Sequence, residues 1–109
     1  MYVAMNRFRI NAGREADFEA MWRNRESYLD DQPGFVAFAL LRGGPGADGT
    51  TEFISHSTWR SRADFDAWRA SEAFRRGHAQ GSVEGVIAAH PELSLYEAVL
   101  SETRAEAEA

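Results

Sequence analysis

From Tyr2 to Ile10 the chain alternates with period two, setting Tyr2, Ala4, Asn6, Phe8 and Ile10 on one face and Val3, Met5, Arg7 and Arg9 on the other. That period predicts a first strand. Asn11, Ala12 and Gly13 supply a turn, and from Arg14 the positions of Phe18, Met21, Trp22, Arg25 and Leu29 follow the stripe of an amphipathic helix. The helix is expected to stop before Pro33, because Asp30 to Gly34 combine turn-forming and helix-breaking residues. A second strand is predicted over 35–42. Residues 43–49, with four glycines and a proline, then suit a hairpin loop into a third strand, about Thr51 to Trp59. Ser61 reads as an N-cap, with Asp64 in place of the usual Glu of a capping box. The helix it starts is expected to bend or restart near Ala70 and Ser71, to continue through Phe74 toward His78, and to fray around Gly81 and Gly85. After Pro91, Leu93 to Leu100 reads as a fourth strand.

Strand, helix, strand, strand, helix, strand is the split βαβ order of a ferredoxin-like α+β domain, a four-stranded antiparallel sheet with helices on one face. The second strand carries Phe35, Ala37, Ala39 and Leu41 on one side and Val36, Phe38 and Leu40 on the other, so the face away from the helices also needs cover. Two sheets packed face to face about a two-fold axis meet that need, and a homodimer is expected. The domain is assigned to residues 1–100. Residues 101–109 alternate acids with alanines, have no apolar stripe, and are expected to be a flexible acidic tail.

A chain of 109 residues with 44% hydrophobic and 27% charged residues is sized and composed for one soluble core. The longest apolar run, Phe35 to Leu41, has seven residues, too few to span a membrane. The first residues include Asn6, Arg7 and Arg9 where an export signal would be apolar, so a cytoplasmic protein is expected. Without cysteine there is no disulfide, thiolate metal site or cysteine nucleophile. The net charge of −5 and the absence of lysine argue against a nucleic-acid partner. One or two arginines can still hold a small carboxylate.

His56, His78 and His90 lie far apart, and no pair has the one-turn spacing of a helical zinc motif. His56 reads as a half-buried strand residue and His90, before Pro91, as an exposed loop residue. His78 follows Gly77 on a helix whose neighbours Phe74, Ala79 and Val83 are uncharged, a setting in which neutral imidazole can ligate haem iron. Asn6 is polar on an otherwise apolar strand face, where burial costs roughly 1–3 kcal/mol unless a partner is found. Trp68 stands ten residues before His78, on the order of 15 Å along a straight helix. The break at Ala70 and Ser71 would let both flank one flat ligand.

These residues carry a resemblance. Asn6 in the first strand, the run Ser57-Thr58-Trp59-Arg60-Ser61, and Ala63-Asp64-Phe65-Asp66-Ala67-Trp68 followed by Phe74 and His78 resemble the IsdG-type haem-degrading monooxygenases. Those belong to the antibiotic-biosynthesis monooxygenase superfamily of dimeric α/β barrels, and Pro33-Gly34-Phe35 matches that superfamily too. The resemblance spans about residues 1–100. It implies that His78 ligates the iron from the proximal side, with Asn6 and Trp68 on the distal side. It also implies that haem is at once substrate and cofactor: an external reductase or chemical reductant supplies electrons, O2 attacks a meso carbon of the porphyrin, and iron leaves with a bile-pigment-like product. Trp22 and Arg25, one helical turn apart, suit a pocket wall beside a cation facing a haem propionate. Arg75 and Arg76 face either solvent or propionates.

Two other functions fit the same residues. A cofactor-independent monooxygenase oxidising a polycyclic phenol to a quinone would use Asn6 and Trp68 without an iron ligand, and a haem-binding dimer without catalysis would hold haem unchanged.

Overall fold

A computed structural model of the chain describes residues 1–78 and 84–104, with the side chain of His78 outside that set. The expected fraying around Gly81, the neighbours Ala79 and Val83, and the last five residues of the tail lie outside the described residues. The elements are β1 (Tyr2–Ile10), α1 (Glu15–Asn24), β2 (Phe35–Pro45), β3 (Thr51–Trp59), α2 (Arg62–Arg69), α3 (Glu72–His78) and β4 (Glu92–Glu97). The four strands form one sheet in the order β2-β3-β1-β4, with every neighbouring pair antiparallel. This is the ferredoxin-like arrangement that the element order predicts. Among the described residues no helix is long and apolar enough to cross a membrane.

The helices lie on the face of the sheet that carries Ala4, Phe8 and Ile10. Phe18 of α1 packs on Phe8 and Phe53, with ring centroids 5.1 and 5.0 Å apart, and Val86 and Ile10 complete this first cluster. Phe65 of α2 packs with Ala4, Leu29 and the fully buried Trp59 in a second cluster. The segment after the undescribed residues is stitched back onto β1: Asn11 N–H donates to Val86 O at 3.0 Å and Ala88 N–H to Arg9 O at 2.8 Å.

Local chemistry accounts for the starts and stops. Ser61 Oγ accepts from Asp64 N–H at 3.2 Å and caps α2. Ser71, just past the end of α2 at Ala70, turns its hydroxyl to Trp68 O and accepts from Phe74 N–H, opening α3 at the predicted break. Gly34 sits at φ +78°, where a residue with a side chain is strained, and its carbonyl accepts from Arg60 N–H at 2.8 Å. This ties the Pro33-Gly34 turn to the start of α2.

Four sequence expectations need correcting. α1 ends at Asn24 and Arg25 is already extended (φ −71°, ψ 150°), so Arg25 and Leu29 are not helical. The reason is tertiary: Leu29 is buried in the second cluster, away from α1, and only an extended chain reaches it. β2 runs on to Pro45, because β3 supplies a partner for Pro45 at Thr51. Within β2 the register slips between Phe35 and Ala37, a bulge at Val36 that puts Phe35, Phe38 and Leu40 together on the helix side, where strict alternation separates Phe35 from Phe38. β4 stops at Glu97, which pairs with Tyr2 at the end of the ladder, and one further bond runs from Ala98 N–H to Met1 O at 2.8 Å.

The opposite face of the sheet carries Val3, Met5, Ile54, His56, Ala37, Ala39 and Leu41, and no described element covers it. Leu41 is 44% exposed and, on β4, Tyr96 is 48% exposed.

Candidate functional site

The two clusters leave a polar row between them. Asn6 pairs with Ser55 on β3 and Leu93 on β4, and Ser55 pairs with Leu40 on β2, so these four share the helix side of the sheet. Asn6 and Ser55 are half-buried, and neither side chain makes a hydrogen bond among the described residues. Ser57, one step along β3 on the same face, is engaged, since buried Trp59 donates its Nε1–H to Ser57 Oγ at 3.1 Å. The centre of the helix-side face is thus a short polar floor with aromatic clusters at either end.

One wall is built by α1 and β2. Trp22 stacks on Phe38 at 5.5 Å and 18°, and its edge meets Phe8, the residue next to Asn6 on this face, at 5.9 Å. The Arg25 guanidinium lies over both rings, 4.6 Å from the centroid of Trp22 and 5.1 Å from that of Phe38. Arg25 Nε is buried without a hydrogen-bond partner. Burial lowers the Arg25 pKa from its ordinary value, yet a guanidinium remains charged at neutral pH. An open cleft of about 520 Å³ lies here, lined by Trp22, Arg25, Ser27, Leu29, Phe35 and Phe38 among others.

The other wall belongs to α2 and α3. Trp68 lies 5.1 Å from Trp59, 6.1 Å from Phe65 and, edge to face, 4.8 Å from Phe74. Its half-buried ring is held in one orientation by three aromatic neighbours.

The structure therefore brings Trp22 and Arg25 together, although by a cation over a ring at the end of α1 and not by one helical turn. Asn6 is set in the next row of the sheet. Asn6 and Trp68 do not line the large cleft, and Trp68 belongs to the second cluster. His78 closes α3 by its backbone, and its side chain, the expected iron ligand, lies outside the described residues. Arg76 bonds Glu72 on its own helix at 2.7 Å. His56 is half-buried on the opposite face, paired with Met5 and Ala39, and His90 is exposed as expected. Sequence reasoning missed Phe38, whose side depends on the bulge, and Ser55, whose place opposite Asn6 depends on register.

Comparison with known proteins agrees with this architecture. The sequence profile of the family described as antibiotic biosynthesis monooxygenase matches residues 1–80. No curated protein sequence matches the chain. MhuD from Mycobacterium tuberculosis, described as a haem degrader with two haems bound in its active site, is 26% identical with a TM-score of 0.76 over 94% of this chain and 100% of its own. SnoaB from Streptomyces nogalater, described as a cofactor-independent oxygenase, is 22% identical with a TM-score of 0.65 over 92% and 94% of the two chains. A putative antibiotic biosynthesis monooxygenase from Bacillus cereus is 16% identical with a TM-score of 0.74 over 94% and 95%. The latter two likenesses are of fold.

Proposed function

The chain belongs to the antibiotic biosynthesis monooxygenase family, and from that premise we propose that it is a haem-degrading monooxygenase acting as a cytoplasmic homodimer. The observation that carries this reading is Arg25: a half-buried guanidinium held over Trp22 and Phe38, with its Nε unbonded, at a cleft of about 520 Å³. An aromatic wall with a buried cation suits a large flat ring bearing carboxylates, which is the chemistry of haem. MhuD, described as a haem degrader and 26% identical, supports the same reading.

In this reading Arg25 would hold a propionate, Trp22 and Phe38 would flank the ring, and the His78 imidazole would ligate the iron. Bound haem supplies the reducible iron and the carbon that is oxidised, with electrons from an external reductase or chemical reductant. Asn6 donates its amide N–H to oxygen as negative charge develops there, without delivering a proton as an acid would. Trp68, fixed by Trp59 and Phe74 beside the cleft and not in its lining, would supply a rigid edge against which a macrocycle reaching past Asn6 could be pressed. The uncovered sheet face, with Leu41 and Tyr96, is the surface two copies would bury against each other, closing the dimeric barrel.

A second reading, cofactor-independent oxidation of a polycyclic phenol, is favoured by the same aromatic cleft, which would take a flat phenol without iron.

Haemin titration into the purified chain, followed by ascorbate in air, tests the proposal. A Soret band that forms and then decays to bile-pigment absorbance, and that fails to form in His78→Ala, is the expected result. A Soret band that persists in air marks a non-catalytic haem binder. Failure to bind haemin, with phenol oxidation intact in His78→Ala, marks the second reading.

A further inference from the structure

Ser55 stands directly opposite Asn6 in the β1/β3 ladder. Residues so paired have Cβ atoms about 4.5–5.5 Å apart, so one small atom can lie within hydrogen-bond reach of both side chains. Most of their neighbours on this face are apolar: Phe8 pairs with Phe53 on one side, Ala4 pairs with the already engaged Ser57 on the other, and Leu40 and Leu93 flank the row. A β-branched apolar residue at position 55 would suit the strand better than serine. The hydroxyl bonds neither Asn6 nor any other described residue, in contrast to Ser57, which Trp59 occupies. Two adjacent, half-buried polar groups without partners, at the centre of a face otherwise packed with rings, leave hydrogen-bonding capacity directed at something other than the protein.

We infer that Ser55 is a second hydrogen-bonding residue of the site, which with Asn6 holds one electron-rich oxygen. That oxygen is either the flat ligand's own or one delivered by O2 during turnover. The inference rests on the reading above that Asn6 donates its amide N–H to an oxygen at the site, since neither Asn6 nor Ser55 is among the residues lining the large cleft. It adds a donor pair in the manner of an oxyanion hole, where removal of one donor lowers turnover while leaving the fold in place.

The test compares Ser55→Ala and Ser55→Thr with the unaltered chain by ligand-free thermal unfolding, by haemin titration, and by the rate of haem consumption with ascorbate in air. Both variants are expected to unfold within about 2 °C of the unaltered chain, because the hydroxyl bonds nothing in the folded protein. Ser55→Ala is expected to slow consumption about ten- to a hundredfold, and Ser55→Thr to recover most of the rate. Slowed consumption at unchanged affinity assigns the oxygen to O2, and weakened affinity assigns it to the ligand. Unchanged affinity and rate in Ser55→Ala, or a melting temperature more than about 5 °C lower, overturns the inference. If the unaltered chain does not bind haemin, the haem reading falls by itself. Oxygen uptake with a tricyclic phenol then decides on Ser55: the same loss supports it, and an unchanged rate, or no uptake by the unaltered chain, overturns it.

Discussion

Gly34→Ala should be among the most damaging single-methyl changes in this chain. At φ +78° an alanine costs about 1–2 kcal/mol in backbone strain alone. Its Cβ would also overlap the Asp64 side chain, and even Asp64 Cβ would lie 2.5 Å away, so rotating the carboxylate does not relieve the contact. The backbone must then move, and with it Asp64, whose N–H is capped by Ser61. Overpacking costs about 1–3 kcal/mol and a weakened cap up to about 1. Together these come to roughly 2–6 kcal/mol, a large part of the stability of a domain this size. Gly13→Ala is the control: φ is +83° there, but nothing lies within 4 Å, so only the strain of about 1–2 kcal/mol is expected. Urea unfolding followed by tryptophan fluorescence and by far-ultraviolet circular dichroism measures both variants. If Gly34→Ala loses no more than Gly13→Ala, the packing of the Pro33-Gly34 turn against α2 is not what makes glycine necessary here.

Asn6→Val should stabilise the fold by about 1 kcal/mol, raising Tm by a few degrees, while abolishing turnover, since it replaces an unbonded half-buried amide by a good strand former. A lower Tm would mean that the amide is part of the structure. Asp48 is held below the ordinary carboxylate range, first by the Thr50 hydroxyl and then by the Thr50 N–H, with Arg9 adding attraction. Its contribution to the β2–β3 hairpin is therefore present above the unfolded pKa and lost as pH falls through the lower folded value. A carboxyl-carbon titration by NMR should give the depressed value in the native chain and one moved part of the way back toward the ordinary range in Thr50→Val, which loses the hydroxyl but keeps the residue-50 N–H and Arg9.

Much of the frame was legible because it depends on neighbours in the chain. The alternation of Tyr2 to Ile10, the Ser61 cap and the break at Ala70 are each written within a few residues, and each appears at the expected place. The expected end of α1 was wrong for an equally physical reason: the stripe from Phe18 to Leu29 continues helically in sequence, but Leu29 gains more by burial beneath Trp59 and Phe65 than by completing another turn. The site divides in the same way. Asn6 stood out as a polar residue in an apolar alternation, and Trp22 and Arg25 as an aromatic beside a cation. Ser55 and Phe38 carried no local signal.

Periodicity and capping by themselves determined the order of strands and helical regions, and hence the ferredoxin-like sheet with helices on one face, while the second helical region proved to be two helices, α2 and α3. Tertiary structure decided which side chains meet: the bulge at Val36 turned Phe38 toward Trp22, the extended exit from α1 laid Arg25 across both rings, and the β1/β3 register set Ser55 against Asn6. Periods are set by bonds between near neighbours. A register or a bulge is instead chosen by the summed packing of strands far apart in the chain, so no short stretch of sequence contains it.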